Sequence, residues 1–528
     1  MLSTLRLTGT VASRGFAEGP LVPLTVVRTR SREAGDAHSE LGTLRAAIGR
    51  AVAEIDTIAG SAGDEAAAML EFQRAMLEDD SLIEPALAAI AGGQTAETAW
   101  STALDAQIAE YASAEDEYFR ARSADFRDVR DRVLRALAGE ADVAPPPGAI
   151  LSGDDITPSQ FLATDWSQGG AIVLRSGSAT SHVAMLARAK GVPMLVGVSG
   201  LPHTNASNAL VDGDDGAVVV APDTSTVIRF RSRRAAGALQ RKHAEGLATQ
   251  PCVTADGTPI SIYINVARPD ELAVIDARTC DGVGLMRTEF LYDKGLPDEE
   301  TQLLSYRQVV AWAQGRPVVI RTVDAGGDKP VPGFTHQETN PFLGVRGIRL
   351  ALASPEVFRV QIRALLRVAA EGNVSVMLPM VTLAAELDAA TQLFNEEARD
   401  LEARGIRHAM PKLGIMVEVP AVALMPELLA DAHFFSIGSN DLMQYLMAAS
   451  RDNGALQSLH DVKHPAFLNL LENVVRVGTE KGIPVSLCGD AGSDPQAIQP
   501  LLAAGLRSLS VAPAQLPLVK LAAAQVRL

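Results

Sequence analysis

Cysteine is scarce in this chain: there are three in 528 residues, Cys252, Cys280 and Cys488. They are too few and too scattered for a disulfide framework or a zinc knuckle. Long apolar runs are also missing. None approaches the ~20 residues that a membrane-crossing helix needs, so no direct membrane insertion is expected. The start, Met1-Leu-Ser-Thr-Leu-Arg6, has no basic stretch leading into an apolar core, and no secretory signal is expected. Basic residues are in deficit, 47 against 63 acidic, for a net charge of −16. Binding to phosphate backbones wants a basic face, which argues against nucleic acid as the main partner. Aromatics make up only 4%, yet hydrophobic residues reach 47% and charged residues 21%, a globular composition. The expectation is a cytoplasmic protein of several domains, since one core rarely serves so long a chain.

Texture changes along the sequence. The first thirty residues alternate short apolar stretches with glycine, as in Gly19-Pro-Leu-Val-Pro-Leu24, and read as strands. From residue 33 to 142 glycine and proline thin out, and apolar residues such as Met69, Phe72, Met76 and Leu77 recur at helical spacing. This block holds 9 basic and 23 acidic residues. That charge is either a solvated face or a docking surface for a basic partner. Pro145-Pro-Pro-Gly148 ends the block, and apolar strands follow at Ala149, Ala171 and Ala217. They form an α/β unit over 143–226 that pairs with residues 1–32, making the helical block an insertion. A basic stretch, Arg229 to Lys242, reads as a helix within a linker over 227–254.

From 255 to 528 strand and helix alternate. The strand candidates are Ile260–Val266, Val283–Arg287, Pro317–Val323, Val374–Met380, Leu413–Val419, Phe434–Ile437, Pro484–Cys488 and Ser508–Val511. Eight such units fit a (β/α)8 TIM barrel; by pattern alone a doubly wound open sheet remains the alternative. A barrel puts chemistry at the C-terminal strand ends. There stand Asn265, Arg287, Arg321, Glu418, Asn440, Asp441 and Cys488. Two arginines suit a carboxylate or phosphate, and two carboxylates with substrate oxygens suit Mg²⁺. A second site is Gly177-Ser-Ala-Thr-Ser-His182, following a strand and opening a helix. Thr180 and Ser181 are good capping types, a helix start favours an anion, and His182 is well placed there to carry a phosphoryl group.

Longer motifs surround these residues: Asp281-Gly-Val-Gly-Leu-Met-Arg-Thr-Glu-Phe-Leu-Tyr292, Arg321-Thr-Val-Asp-Ala-Gly-Gly-Asp-Lys329, Asn340-Pro-Phe-Leu-Gly-Val-Arg-Gly-Ile-Arg349, Gly414-Ile-Met-Val-Glu-Val-Pro420, Phe434 through Tyr445, and Cys488-Gly489. With them the chain resembles Enzyme I of the bacterial phosphotransferase system, the phosphoenolpyruvate–protein phosphotransferases, over nearly its whole length. The helical stretch Glu115–Asp128 resembles that family's phosphocarrier-binding domain.

The resemblance implies a multidomain α/β protein: a swivelling phosphohistidine domain with an inserted all-α domain, then a TIM barrel that binds phosphoenolpyruvate. It implies that His182 carries the phosphoryl group to a small HPr-like phosphocarrier, the first step of a sugar-uptake or regulatory phosphorelay. Arg287, Arg321, Asn440, Asp441 and Arg451 would hold phosphoenolpyruvate, and Glu418 and Asp441 would ligate Mg²⁺. Cys488 would donate a proton, and its thiolate would be made accessible by nearby arginines and the metal. A homodimer through the barrel is implied as well. The chain departs from the family pattern at Arg14, Gln73, Ser178, Ala179 and Asp490, and it ends soon after the eighth strand. Gln73 is expected on the surface that meets the phosphocarrier. Pyruvate phosphate dikinase and phosphoenolpyruvate synthase share the swivelling and barrel domains, but they carry an ATP-grasp domain where this chain has an acidic helical block. A sensor of phosphoenolpyruvate without turnover is the other reading, and the set His182, Glu418, Asp441 and Cys488 argues against it.

Overall fold

The computed structural model describes residues 4–24, 32–60, 64–112, 117–139, 145–177, 181–293, 295–327, 330–335, 338–451 and 454–528. The chain divides into two units, Met1–Ala235 and Ala236–Leu528. In the first, eight strands form one sheet: β1 (Leu5–Thr8), β2 (Thr10–Ser13), β3 (Phe16–Pro23), β4 (Ile150–Gly153), β5 (Ala171–Leu174), β6 (Met194–Val196), β7 (Ala206–Asp212) and β8 (Ala217–Val220). Their order is β1-β8-β7-β3-β4-β5-β6-β2. β3 and β4 pair in parallel, Leu21 against Ile150 and Val22 against Leu151. Between them in sequence lie α1 (Ala37–Ala59), α2 (Asp64–Glu78), α3 (Asp80–Ala91), α4 (Ala96–Ala112) and α5 (Glu117–Ala138). The helical block is therefore an insertion into the sheet.

Leu44, Ile48, Ile55, Trp100, Leu104, Val129 and Val133 close a separate core among these helices. The Trp100 indole donates to the Arg130 carbonyl at 3.2 Å, which settles its one polar group. Glu40 ties the helix starts together. Its buried carboxylate accepts from both terminal nitrogens of Arg32, at 2.5 and 2.6 Å, and from the backbone N–H groups of Gly35 and Ala96. The Arg32 guanidinium, helped by those N–H donors, outweighs burial and lowers the Glu40 carboxyl to about 2. Its folded value lies below the ~4.3 of an unfolded glutamate, so this stabilisation is complete above that pH and is lost as pH falls towards 2. Glu40→Ala is expected to cost about 2 kcal/mol at neutral pH. The difference from the native chain should shrink across that acid window in chemical denaturation.

The first unit also holds α6 (Pro158–Ala163), α7 (His182–Lys190) and the start of α8 (Thr224–Leu247). The basic stretch read as a linker helix is thus part of a longer one. Within the second unit, Lys520 donates to the carbonyls of Ala248 and Gln250 at 2.6 and 2.9 Å, fastening the chain just beyond α8.

The second unit is a closed barrel of parallel strands: β9 (Ser261–Val266), β10 (Val283–Met286), β11 (Val318–Arg321), β12 (Val374–Leu378), β13 (Lys412–Val417), β14 (Phe435–Ile437), β15 (Val485–Leu487) and β16 (Ser508–Val511). Each matches an expected strand. Closure comes from β16 pairing with β9, Ser508 against Ser261 through Val511 against Ile264, which excludes the open sheet. Ile262, Ile264, Val283, Ile320, Val376, Ile415, Val417 and Ile437 are fully buried. Strands covered on both faces read as continuous apolar runs for that reason. Among the described residues no helix is long and apolar enough to cross a membrane.

Candidate active site

A cavity of about 220 Å³ opens at the C-terminal strand ends of the barrel. Its lining includes Arg287, Arg321, Glu418, Asn440, Asp441, Arg451 and Cys488. Seven of the eight barrel residues singled out from sequence therefore meet in one place; Asn265 is the exception. The strand geometry explains this: β10, β11, β13 and β15 each end at or one residue before a lining side chain, and parallel strands deliver those ends to the same rim. Asn265, also at a strand end, has a supporting place. Its amide donates to the carbonyls of Cys488 and Ser510 at 3.1 and 3.2 Å, fastening the loop that bears the thiol.

The cavity is walled by a chain of buried charges. Arg321 lies 3.0 Å from Glu289 and 3.2 Å from Asp324. Asp324 is also 2.9 Å from Arg346, which reaches Asp441 at 3.1 Å. Burial opposes the charge on Arg346, yet Asp324 and Asp441 outweigh it and hold the guanidinium protonated. Arg451 stands 3.8 Å from Asp441, and the Phe342 ring lies within 5.8 Å of both the Arg346 and Arg451 guanidinium carbons. Buried Nε–H groups of Arg287 and Arg321 have no hydrogen-bond partner among the described residues. An orphaned guanidinium donor at a cavity suits an anion. Glu289, Asp324 and Arg346 were not singled out from sequence, although each lies inside one of the quoted motifs. Their signal was a charge embedded in an apolar, glycine-rich stretch, which becomes legible only with its partner.

Glu418 is buried, and one of its oxygens accepts from the Met380 N–H at 2.7 Å. Burial, then the neighbouring carboxylates Asp441 and Asp324, push this group upward against the pull of Arg321 and Arg346. Crowded carboxylates of this kind gain from a cation. The donor set fits Mg²⁺, which is commonly held by one or two carboxylates plus substrate oxygens.

Similarity to known proteins is extensive. The description "PEP-utilising enzyme, PEP-binding domain" matches residues 241–528, "PEP-utilising enzyme, N-terminal" residues 8–122, and "PEP-utilising enzyme, mobile domain" residues 145–216. The phosphoenolpyruvate-protein phosphotransferase of Cupriavidus necator is 36% identical over 509 residues, covering 91% of this chain and 87% of that protein. The enzyme of the same name from Geobacillus stearothermophilus is 35% identical over 539 residues, covering 97% and 93%. The one from Bacillus sp. (strain S) is 34% identical over 523 residues, covering 95% and 90%.

The chain belongs to the phosphoenolpyruvate-protein phosphotransferases. Its reaction takes the phosphoryl group of phosphoenolpyruvate to protein. At Cys488 the protein's own groups do not, on balance, lower the thiol. Burial pushes the thiol up to about 11, outweighing Ser436, Arg321 and Arg287, which pull it down. The arginines are near enough to act but do not win, because the thiol is fully enclosed. Its sulfur lies 3.6 Å from the Ile437 carbonyl, so the proton has an acceptor at rest.

The neighbouring glycine is a close-approach position. A Cβ on Gly489 would lie 1.9 Å from the Ser439 hydroxyl and 2.6 Å from its backbone nitrogen. Gly489→Ala should therefore pry the Cys488 loop from the helix Ser439–Met447 and lower turnover about 100-fold. Circular dichroism of the variant should stay native, and steady-state kinetics would check the loss.

His182 is the first residue of α7 and follows the strand β5. Ser181 caps the helix, its hydroxyl accepting from the Ala184 N–H at 3.2 Å. Ser178, Ala179 and Thr180 lie outside the described residues, as does the His182 side chain. Gln73 is the clearest correction. It is buried, not on an exposed surface, and its amide donates to Asp128 at 3.1 Å. Asp128 also accepts from the Ser159 N–H at 3.2 Å, so this position joins the helical insertion to α6. Helical periodicity placed Gln73 on a helix correctly but cannot tell which face a neighbouring domain covers. Arg14 is exposed in the turn between β2 and β3.

Proposed function

We propose that phosphoenolpyruvate binds in the barrel cavity and passes its phosphoryl group to an imidazole nitrogen of His182, which then hands it to a histidine of an HPr-like phosphocarrier. One observation carries this reading: Arg287, Arg321, Glu418, Asn440, Asp441 and Cys488, expected at the barrel rim from strand pattern, line a single anion-suited cavity together with Arg451. In it, Arg287, Arg321, Asn440, Asp441 and Arg451 position the substrate, and Glu418 and Asp441 hold Mg²⁺. A divalent cation held there would supply neutralisation of the charge that develops during transfer. The arginines align the phosphoryl group for in-line attack, and neutral His182 supplies the electron pair. As the bridging P–O bond breaks, pyruvate enolate forms, and the Cys488 thiol gives its proton to the methylene carbon. A thiol raised to about 11 is protonated at neutral pH and so is ready as an acid.

The domain division follows the same logic: residues 1–32 with 143–226 swivel and carry His182, 33–142 receive the phosphocarrier, 227–254 link, and 255–528 bind phosphoenolpyruvate and form a homodimer. The setting is the cytoplasm. Incubation with phosphoenolpyruvate labelled in the phosphoryl group, with Mg²⁺ and without ATP, tests the reading. Acid-labile, base-stable label on the protein is expected, and its absence rejects the reading.

The helical insertion adds a second expectation. Its excess of acidic residues should steer a basic-faced phosphocarrier, and that steering fades beyond a Debye length of about 8 Å at physiological salt. Stopped-flow transfer rates should fall steeply as salt rises. Rates indifferent to salt mean the charge only solvates the helices.

A further inference from the structure

We propose that Asp490 is a positioning residue that fixes which end of the Asn440 amide faces the substrate; this rests on the reading of the barrel cavity as the phosphoenolpyruvate site. The two ends of an asparagine amide have nearly the same shape and opposite chemistry. Only the NH₂ end can donate to a phosphoryl or carboxylate oxygen, and the carbonyl end would repel one. Asn440 lines the cavity, so its usefulness depends on which way the amide is turned.

Asp490 makes that choice with two bonds of opposite sense. Its carboxylate accepts from the Asn440 Nδ2 at 3.0 Å, and its backbone N–H donates to the Asn440 Oδ1 at 2.9 Å. The Ser439 hydroxyl adds a longer bond to the same Oδ1 at 3.4 Å. Turning the amide over would set the carboxylate against a carbonyl oxygen and the N–H against an NH₂ group. Both contacts would be lost and two repulsions gained. In the observed orientation one Nδ2–H is engaged by Asp490, and the other is free to donate to a ligand.

The loop that bears Asp490 is itself fixed. Gly489 approaches Ser439 too closely for any side chain, the Cys488 N–H donates to Ile437 at 3.0 Å, and the Asn265 amide holds the Cys488 carbonyl. Cys488 and Asp490 are two residues apart on this loop. The proton donor and the orientation of the phosphoryl-facing amide are therefore set by one short backbone segment.

Single-turnover phosphorylation of the full chain by phosphoenolpyruvate, with a separate binding measurement, tests this. Asp490→Ala should slow transfer about tenfold to 100-fold while shifting phosphoenolpyruvate affinity far less, because a misaligned donor is felt most where charge develops. The backbone N–H bond persists in both variants, but Asp490→Asn also keeps a side-chain acceptor of the same length and should restore the rate to within about threefold of native. In an Asn440→Ala background, Asp490→Ala should add almost no further loss. A native rate in Asp490→Ala overturns the proposal. So does an Asp490→Asn variant as slow as Asp490→Ala, or an additive loss in the double variant. If the native chain takes no phosphoryl group at all, it is the reading of the cavity that fails instead.

Discussion

Cys488→Ala should all but abolish exchange of solvent protons into the methyl group of pyruvate, while His182 still accepts phosphate from phosphoenolpyruvate. The expected loss of exchange is about 100-fold to 10,000-fold, the usual range for a positioned acid or base. The two readouts separate because they need different things from the residue. Forward transfer creates an enolate that water can protonate slowly, so phosphorylation survives. Exchange needs a group that repeatedly takes and returns a proton at carbon within the cavity. The Cys488 thiol is buried and raised to about 11 by that burial, so it enters the forward step carrying its proton, and exchange begins from its minor thiolate form. The competing role is that of a small buried hydrophobe, since Cys488 packs with Leu285, Met377 and Met416. Undiminished exchange in a folded Cys488→Ala variant would establish that role and remove the thiol from the chemistry. Proton nuclear magnetic resonance of pyruvate in deuterated buffer, with phosphorylated and unphosphorylated enzyme, gives the rates directly.

His182→Ala should remove phosphorylation to background, with no measurable turnover, and leave phosphoenolpyruvate binding within about twofold. The first half follows because no other nucleophile is proposed for the step. The second follows from chain organisation: His182 belongs to the first unit and the cavity residues to the second. Ser181, which caps α7, is untouched by the substitution, so the helix start should persist. Calorimetry in the presence of Mg²⁺ reads the binding. Loss of binding in this variant would contradict the assignment of substrate to the barrel, and residual acid-labile label would point to a second acceptor.

Much of this was legible in the sequence for identifiable reasons. The eight barrel strands showed as apolar runs because parallel strands are covered on both faces. Arg287, Arg321, Glu418 and Cys488 could be chosen because a polar residue ending such a run falls on one rim. The helical insertion announced itself by composition, as glycine and proline gave way to an acidic, helix-periodic stretch.

Other features depend on contacts between residues far apart in the chain. Closure of the barrel rests on β16 meeting β9, a pairing that strand pattern leaves open. Arg346 became part of the site only through Asp324 and Asp441. The Asn440–Asp490 clamp is invisible without its two opposed hydrogen bonds. Gln73 was placed on its helix by periodicity, yet its burial came from the chain packed over it. At Cys488 the protein's own contributions are decided by three-dimensional packing, since its enclosure outweighs the arginines beside it. Strand identity and rim position follow from local pattern. The burial of a group, and the sign of its net electrostatics, are sums over three-dimensional neighbours that only the folded chain brings together.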